Sequence, residues 1–570
     1  MIIHCTVSKS FLKEIGLKNY NSDIESAFKR IGFKPRDNQV ESINKIINAF
    51  LDDKFANVVL SAPTGFGKSV AAAVVAEVIA KIDGISNRKS LILMQNNILV
   101  NQYQNTFNDN EDFIQLRGAS TYSCDAINAL TEVTADDCIK PILTDKSICH
   151  GCEFDYAKNQ RDVVDHLITN YSYYFLSREI NLIKPRHITI WDEAHTIADV
   201  FCNHNTINVS VEFMDYLKSD AQVTSVSMQH YDTIDQIQFR LKANGITEID
   251  YLEVIDSLSE IYKEIKFNSD TAADELFSEN NPELYIKYSR LSKKYGRLLA
   301  TIDYIRNNEH IFQSDEGSFS VKPIFITQEN FYGILNSSSK NLFMSGTVSK
   351  KYLVETIGLK EEDTCEIVLD PTFDVENKKF IFMKPTNVSN ATLQDPDTIE
   401  YISKVSERIV NFHASFNDNG IILTPSFKLS EQIADHLRSN VNSSINIIEH
   451  TRGNKAEDYV NEFKECGKLS VLISPSIFEG VSLDGDICRY QILVKAPYAS
   501  LADKRIHYIM NYHKEIYELM TLMKIIQGAG RSVRSKDDFA DTYALDYNIR
   551  RLFLNKNNVW QNEFKVVDIK

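Results

Sequence analysis

Eight consecutive residues constrain the fold of this chain more than any others: Ala62-Pro63-Thr64-Gly65-Phe66-Gly67-Lys68-Ser69. They stand between NVVLSA (57–62), an apolar run that reads as a short buried strand, and SVAAAVVAEVIAKI (69–82), which reads as the helix after it. Glycines let backbone N–H groups close around phosphate oxygens, and the helix N-terminus adds partial positive charge. In such a cradle of Thr64, Gly65 and Gly67, Lys68 reaches the β- and γ-phosphates of ATP and the Ser69 hydroxyl ligates Mg²⁺. The strict pattern has Gly where Ala62 stands, so the match is not perfect.

A strand–loop–helix of this kind calls for a parallel sheet. LILM at 91–94 and HITIW at 187–191 supply further short apolar runs between helical stretches, the second ending at Asp192. Another series follows: GIILT from 420, LSVLIS at 469–474 and YQILV at 490–494. The expected fold is therefore α/β with two such units. Between them, residues 200–340 are polar and read as largely helical. Leu284, Tyr288, Leu291, Tyr295, Leu298, Ile302 and Ile305 alternate four and three residues apart, and Tyr251, Ile255, Leu258, Tyr262 and Ile265 repeat that seam. Two helices packed on each other as an insertion satisfy both seams. A long coiled-coil dimer is the weaker alternative, because both seams are short and broken by Asn- and Asp-rich turns.

Two further patterns fit a nucleoside triphosphate. Asp192-Glu193-Ala194-His195 stands at the end of a strand, where Asp192 can hold Mg²⁺ and Glu193 can take a proton from the attacking water. Gln527-Gly528-Ala529-Gly530-Arg531-Ser532-Val533-Arg534 sets Arg531 and Arg534 three apart, on one helix face, suited to the γ-phosphate held by the first unit. Arg36-x-x-Gln39 precedes a helix and is suited to read an adenine edge.

In this order the three motifs resemble those of the two RecA-like motor domains of superfamily 2 helicases. Ser345-Gly346-Thr347 is similar to motif III, Ile477-Phe478-Glu479-Gly480-Val481 to motif V, and Arg36/Gln39 to the Q-motif. The DEAH tetrapeptide also fits DEAH-box RNA helicases, but Gly528 and Val533 match the last motif of the XPD/DinG iron–sulfur group instead. Cys124, Cys138, Cys149 and Cys152 fall within 29 residues between the P-loop and DEAH, where that group carries a [4Fe–4S] cluster. Arg117-Gly118 and Tyr122-Ser123-Cys124 resemble the lead-in to its first ligand, and Asn170 matches the Asn that follows. Four thiolates also suit tetrahedral Zn²⁺, which stays open as the alternative.

The resemblance implies two RecA-like domains with an inserted Fe–S domain and a helical arch-like insertion. The expected division is 1–110, 165–199 and 339–370 for the first motor domain, 111–164 for the Fe–S domain, 200–338 for the arch and 371–570 for the second motor domain. It implies a monomeric DNA helicase with 5′→3′ polarity acting on single-stranded and forked DNA. An ATP-driven translocase that remodels R-loops (RNA–DNA hybrids) or protein–DNA complexes is the alternative, and a scaffold with a vestigial ATPase a more remote one. Departures from the family are Ala119 for Arg, Tyr171 for His after Asn170, and Ser482 and Asp484 for the Asp and Pro of motif V.

Composition sets the limits. A net charge of −16 leans against nucleic acid, although it leaves open how the 62 basic residues are distributed. Apolar runs are too short for a membrane span, and the start lacks a secretory signal, so a cytoplasmic protein is expected. Nine cysteines in such a chain point away from disulfides. Cys5, Cys202, Cys365, Cys466 and Cys488 are expected as buried apolar side chains. Tyr171, Tyr173, Tyr174 and Phe175 read equally well as a base-stacking cluster or as core.

Overall fold

The structure, a computed structural model, describes residues 18–36, 38–52, 54–124, 133–138, 152–179, 182–243, 245–279, 281–389, 391–467, 469–475, 483, 485–530, 533 and 535–569. The first sheet takes β1 (Asn57–Ser61), β2 (Ser90–Met94), β3 (Phe113–Gln115), β4 (His166–Asn170) and β5 (Ile188–Asp192). After β6 (Ile207–Ser210), β7 (His310–Asp315) and β8 (Ser318–Pro323), the chain returns to it with β9 (Lys340–Ser345) and β10 (Thr364–Val368). The order is β10-β1-β9-β5-β2-β4-β3, with every neighbouring pair parallel. Strands buried on both faces need apolar side chains throughout, which is why β1 and β2 read as unbroken apolar runs.

The second sheet holds β11 (Lys378–Thr386), β12 (Gly420–Leu423), β13 (Asn446–Glu449), β14 (Ser470–Ser474), β15 (Tyr490–Leu493), β16 (Ala540–Asp546) and β17 (Lys565–Asp568). Its order is β13-β14-β12-β15-β16-β11-β17, again all parallel. Two α/β lobes thus stand as the strand patterns foretold.

Between β6 and β9 the two long helices Tyr251–Glu279 and Pro282–Arg306 pack along their seams, with Leu258, Tyr262, Tyr295 and Ile302 in one apolar cluster. Leu284, at the end of its seam, is exposed. The expectation of a largely helical insertion needs one correction: β6, β8 and β7 form an antiparallel three-stranded sheet beneath these helices. A second correction concerns the edge of the cysteine segment. β3, inside the range 111–164, pairs with β4 in the first sheet and belongs to the lobe. Among the described residues no helix is long and apolar enough to cross a membrane.

At the end of the first sheet away from the phosphate loop, a buried cluster fixes the helix Lys68–Ile82. Glu77 accepts from Lys89 at 3.0 Å, from His166 Nε2 at 2.8 Å and from Arg30 at 2.9 Å. Burial alone would raise the Glu77 carboxyl, but the hydrogen bonds from His166 and Lys89 overrule it and hold it at about 2.

Candidate active site

Strand register assembles the site. In parallel pairing Ser61 lies level with Ser345 and Asp192 with Met344, so the phosphate loop, the DEAH turn and Ser345-Gly346-Thr347 leave the sheet side by side at its carboxyl edge. Crevices at that edge are where open α/β sheets bind ligands.

The loop itself needs its glycines. Gly65 and Gly67 have φ of 86° and 79°, and a Cβ on Gly67 would fall 2.9 Å from Gln39 Nε2. Gln39 Nε2 donates to Phe66 O at 2.7 Å and to Gly67 O at 3.4 Å, while its Oε1 accepts from Arg36 N at 2.9 Å. Arg36 Nη1 donates to Gly65 O at 2.6 Å. Both residues therefore clamp the loop from outside. Gln39 is buried, its amide taken up by the loop backbone, so in this conformation it shapes the cradle rather than presenting an edge to adenine.

Two sequence-distant tyrosines hold the backbone at Ser69 and at Asp192. Tyr103, which sequence reading missed, donates its hydroxyl to Ser69 O at 2.7 Å and is buried within the field of Asp192. Tyr171 OH donates to Asp192 O at 2.5 Å. Burial pushes the Asp192 carboxyl up to about 7; Glu193 adds to the shift, and Lys68 and the Glu193 N–H oppose it. A hydroxyl and a carboxylate that needs a nearby cation are the oxygen donors Mg²⁺ takes.

Glu193 sits in the left-handed region at φ 51°, a conformation costly for a side-chain-bearing residue and frequent where function demands it. Its Oε2 accepts from Ser345 Oγ at 2.9 Å. Ser345 Oγ pairs in turn with His195 Nδ1 at 2.9 Å, and His195 Nε2 with Gln527 Nε2 at 2.9 Å. Gln527 Nε2 also donates to Thr347 Oγ1 at 2.8 Å. With the imidazole proton on Nδ1 every donor meets an acceptor, and an unbroken path runs from Glu193 in the first lobe to Gln527 in the second.

Arg531 and Arg534 lie outside the described residues, as do Cys149 and the 477–481 segment. The residues flanking Arg531 both touch the first lobe: Gln527 as above, and Val533, whose carbonyl accepts from Thr64 Oγ1 at 3.3 Å. Trp560 is a further contact the sequence did not announce; its Nε1 donates to Ser61 Oγ at 2.8 Å.

Of the clustered cysteines, Cys124 and Cys152 are half-buried and Cys138 is exposed, whereas Cys202, Cys365 and Cys488 are buried as expected. Cys466 is exposed, against expectation, because it follows a surface helix end; Cys5 lies outside the described residues. Cys138 follows the turn Ala135–Asp137, and Cys152 precedes the helix Glu153–Gln160. Thiols suit metal in their chemistry, yet among the described residues no three His, Cys, Asp or Glu side chains gather closely enough to hold one. Of the aromatic cluster, Tyr171, Tyr174 and Phe175 are buried around Trp191, so the core reading holds for these three.

The second sheet has its own carboxyl-edge groove, of about 1190 Å³, where Thr424, Pro475, Lys495 and Asp546 leave their strands. Lys514 and Lys524 add positive charge to it, Arg551 pairs there with Glu518 at 3.0 Å, and Tyr498 and Tyr517 stack at 5.3 Å between ring centres. No motif singled out in the sequence marks this groove.

Comparison with known proteins follows the same division into lobes. A family model described as a helicase C-terminal domain matches residues 409–560, and one described as the res subunit of type III restriction enzymes matches residues 32–223. Two curated relatives are named ATP-dependent DNA helicase CHL1. That of Vanderwaltozyma polyspora is 20% identical over 472 residues, covering 69% of this chain and 55% of its own. That of Aspergillus fumigatus is 18% identical over 461 residues, covering 64% and 57%. The chain thus spans little more than half the length of these relatives. Two solved structures titled XPD helicase and XPD apo superpose over 94% of this chain and 100% of theirs, with TM-scores of 0.61 and 0.54 at 16% identity.

Proposed function

We propose that this chain, a member of the XPD/DinG-like superfamily 2 helicases, is an ATP-dependent DNA helicase that moves 5′→3′ on single-stranded DNA and parts duplex at forks. The observation that carries the reading is the path from Glu193 through Ser345 and His195 to Gln527. It links the group suited to activate water in one lobe to a residue four positions before Arg531 in the other.

In this reading Lys68 neutralises the β- and γ-phosphates and Glu193 accepts the proton of the attacking water. Arg531 and Arg534 meet the γ-phosphate from across the cleft, so hydrolysis proceeds only with the lobes closed. Thr64, Gly65 and Gly67 form the cradle, which Arg36 and Gln39 hold in shape. Ser69 and Asp192 would hold Mg²⁺, whose charge supports the triphosphate. The carboxyl-edge groove of the second sheet, with its lysines and stacked tyrosines, fits the single strand as a track. Its lysines supply local positive charge for such a track within a chain that is acidic overall, beside Asp546 and the Arg551–Glu518 ion pair.

The domain division given above, with β3 returned to the first lobe, belongs to this reading, as do a monomeric motor and a cytoplasmic setting. So does a [4Fe–4S] cluster on Cys124, Cys138, Cys149 and Cys152, which would stiffen the segment between β3 and β4. Protein purified without oxygen is expected to be brown, with about four irons per chain. Cys152→Ser bleaches it and abolishes unwinding while ATP still binds. Colourless protein with one zinc refutes the cluster and leaves the motor standing. Polarity is tested by strand displacement on duplexes with 5′ or 3′ tails: release from the 5′-tailed substrate alone is expected. Release from the 3′-tailed substrate alone contradicts the polarity, and ATP-driven displacement of a bound protein without strand release favours the remodelling translocase.

A further inference from the structure

Lys378 opens β11, the first strand of the second sheet, yet its side chain rests on the phosphate loop of the first. Its Nζ donates to Thr64 Oγ1 at 3.3 Å, and the Phe564 ring lies 6.0 Å from it. The residue is 4% exposed, and among the described residues no carboxylate makes ion-pair contact with it. A buried ammonium held by one hydroxyl is costly unless a counter-charge compensates it. Burial accordingly lowers its pKa, with Glu563 opposing the shift.

The loop takes other contacts from the same lobe. Trp560 reaches Ser61 and Val533 reaches Thr64, while the Phe373 ring lies so close over Gly65 that a Cβ there would fall 2.3 Å from it. Three residues beyond Trp560, the Glu563 carboxyl stands in the field of both Lys378 and Lys68 and is raised by its burial. Lys68 on the loop and Lys378 against Thr64 set two ammoniums at a site built to cradle phosphate, a charge pattern that a triphosphate can satisfy more fully than the single carboxyl in whose field they stand.

We propose that Lys378 is a further phosphate-binding residue of the nucleotide site, a cation delivered by the second lobe to the terminal phosphates of ATP, with the Glu563 carboxyl as a nearby competing negative charge. The proposal rests on the nucleotide reading of the loop given above. It makes β11 a direct sensor of the triphosphate, separate from the arginines of the last motif.

The test is binding of a non-hydrolysable MgATP analogue and of MgADP by the full chain, measured calorimetrically. Lys378→Met keeps the length and removes the charge; it is expected to weaken the ATP analogue about tenfold or more and ADP much less. Glu563→Gln carries the opposite sign, tightening the ATP analogue severalfold, because a competing negative charge is gone. Should Lys378→Met fail to fold, Glu563→Gln still decides, since a damaged site does not bind more tightly. Wild-type affinity for both nucleotides in both variants overturns the proposal. A wild-type chain that binds no ATP analogue overturns the nucleotide reading itself, which is a different outcome.

Discussion

Lys68→Ala is expected to lower ATP turnover by a factor of about 10²–10³ or more, the usual cost of losing one charged group at a developing transition state. Lys68 is the first residue of the helix that follows the loop, where the peptide dipole and the ammonium act on the same phosphates. Glu193→Gln should be comparably slow, since positioned general bases contribute about 10²–10⁴ in rate. The two variants should differ in binding. Glu193→Gln keeps Lys68 and Asp192 and relieves the repulsion between neighbouring carboxylates, so it holds ATP at least as well as wild type, while Lys68→Ala holds it weakly. Phosphate release together with a fluorescent-nucleotide titration separates them. Equal turnover in wild type and Glu193→Gln would remove Glu193 from the mechanism.

Arg531→Ala is expected to have the largest effect on rate, about 10³–10⁵ if it acts as a finger toward the γ-phosphate. Nucleotide affinity should change little, because the group acts on charge that develops in the transition state. The described neighbours favour this: Gln527 meets His195 and Thr347, and Val533 meets Thr64 of the phosphate loop. A variant that loses affinity while turnover at saturation holds would make Arg531 a ground-state ligand.

How much of this could be read from sequence depended on how local each signal was. The phosphate loop and DEAH turn are contiguous, and parallel register carries them to one edge, so strand order alone predicts their meeting. Thr347 and Gln527 were visible as motif members, but their shared hydrogen bond spans 180 positions and no spacing rule announces it. Lys378, Trp560 and Phe373 carry no motif at all; each reads as an ordinary strand or loop residue until the second lobe is folded against the first. Of the small antiparallel sheet, HIFQSD is short with its apolar residues adjacent, whereas SFSVKP alternates polar and apolar residues and was legible as a strand that the helical reading of the segment passed over. Cys466 misled in the opposite direction: the frequency with which thiols are buried says nothing about a position at the end of a surface helix. The tyrosine cluster was undecidable from sequence because a helix face that packs on Trp191 and one that stacks on bases have the same composition.

The central claim is that hydrolysis at the first lobe is coupled, across the cleft, to a single strand of DNA. The most direct measurement is steady-state ATP hydrolysis by the wild-type chain, with Mg²⁺, at increasing concentrations of single-stranded DNA. Turnover should be low without DNA and rise to a plateau with it, and Gln527→Ala, which cuts the link to His195, should flatten that rise. Turnover that is the same with and without saturating DNA would contradict the account.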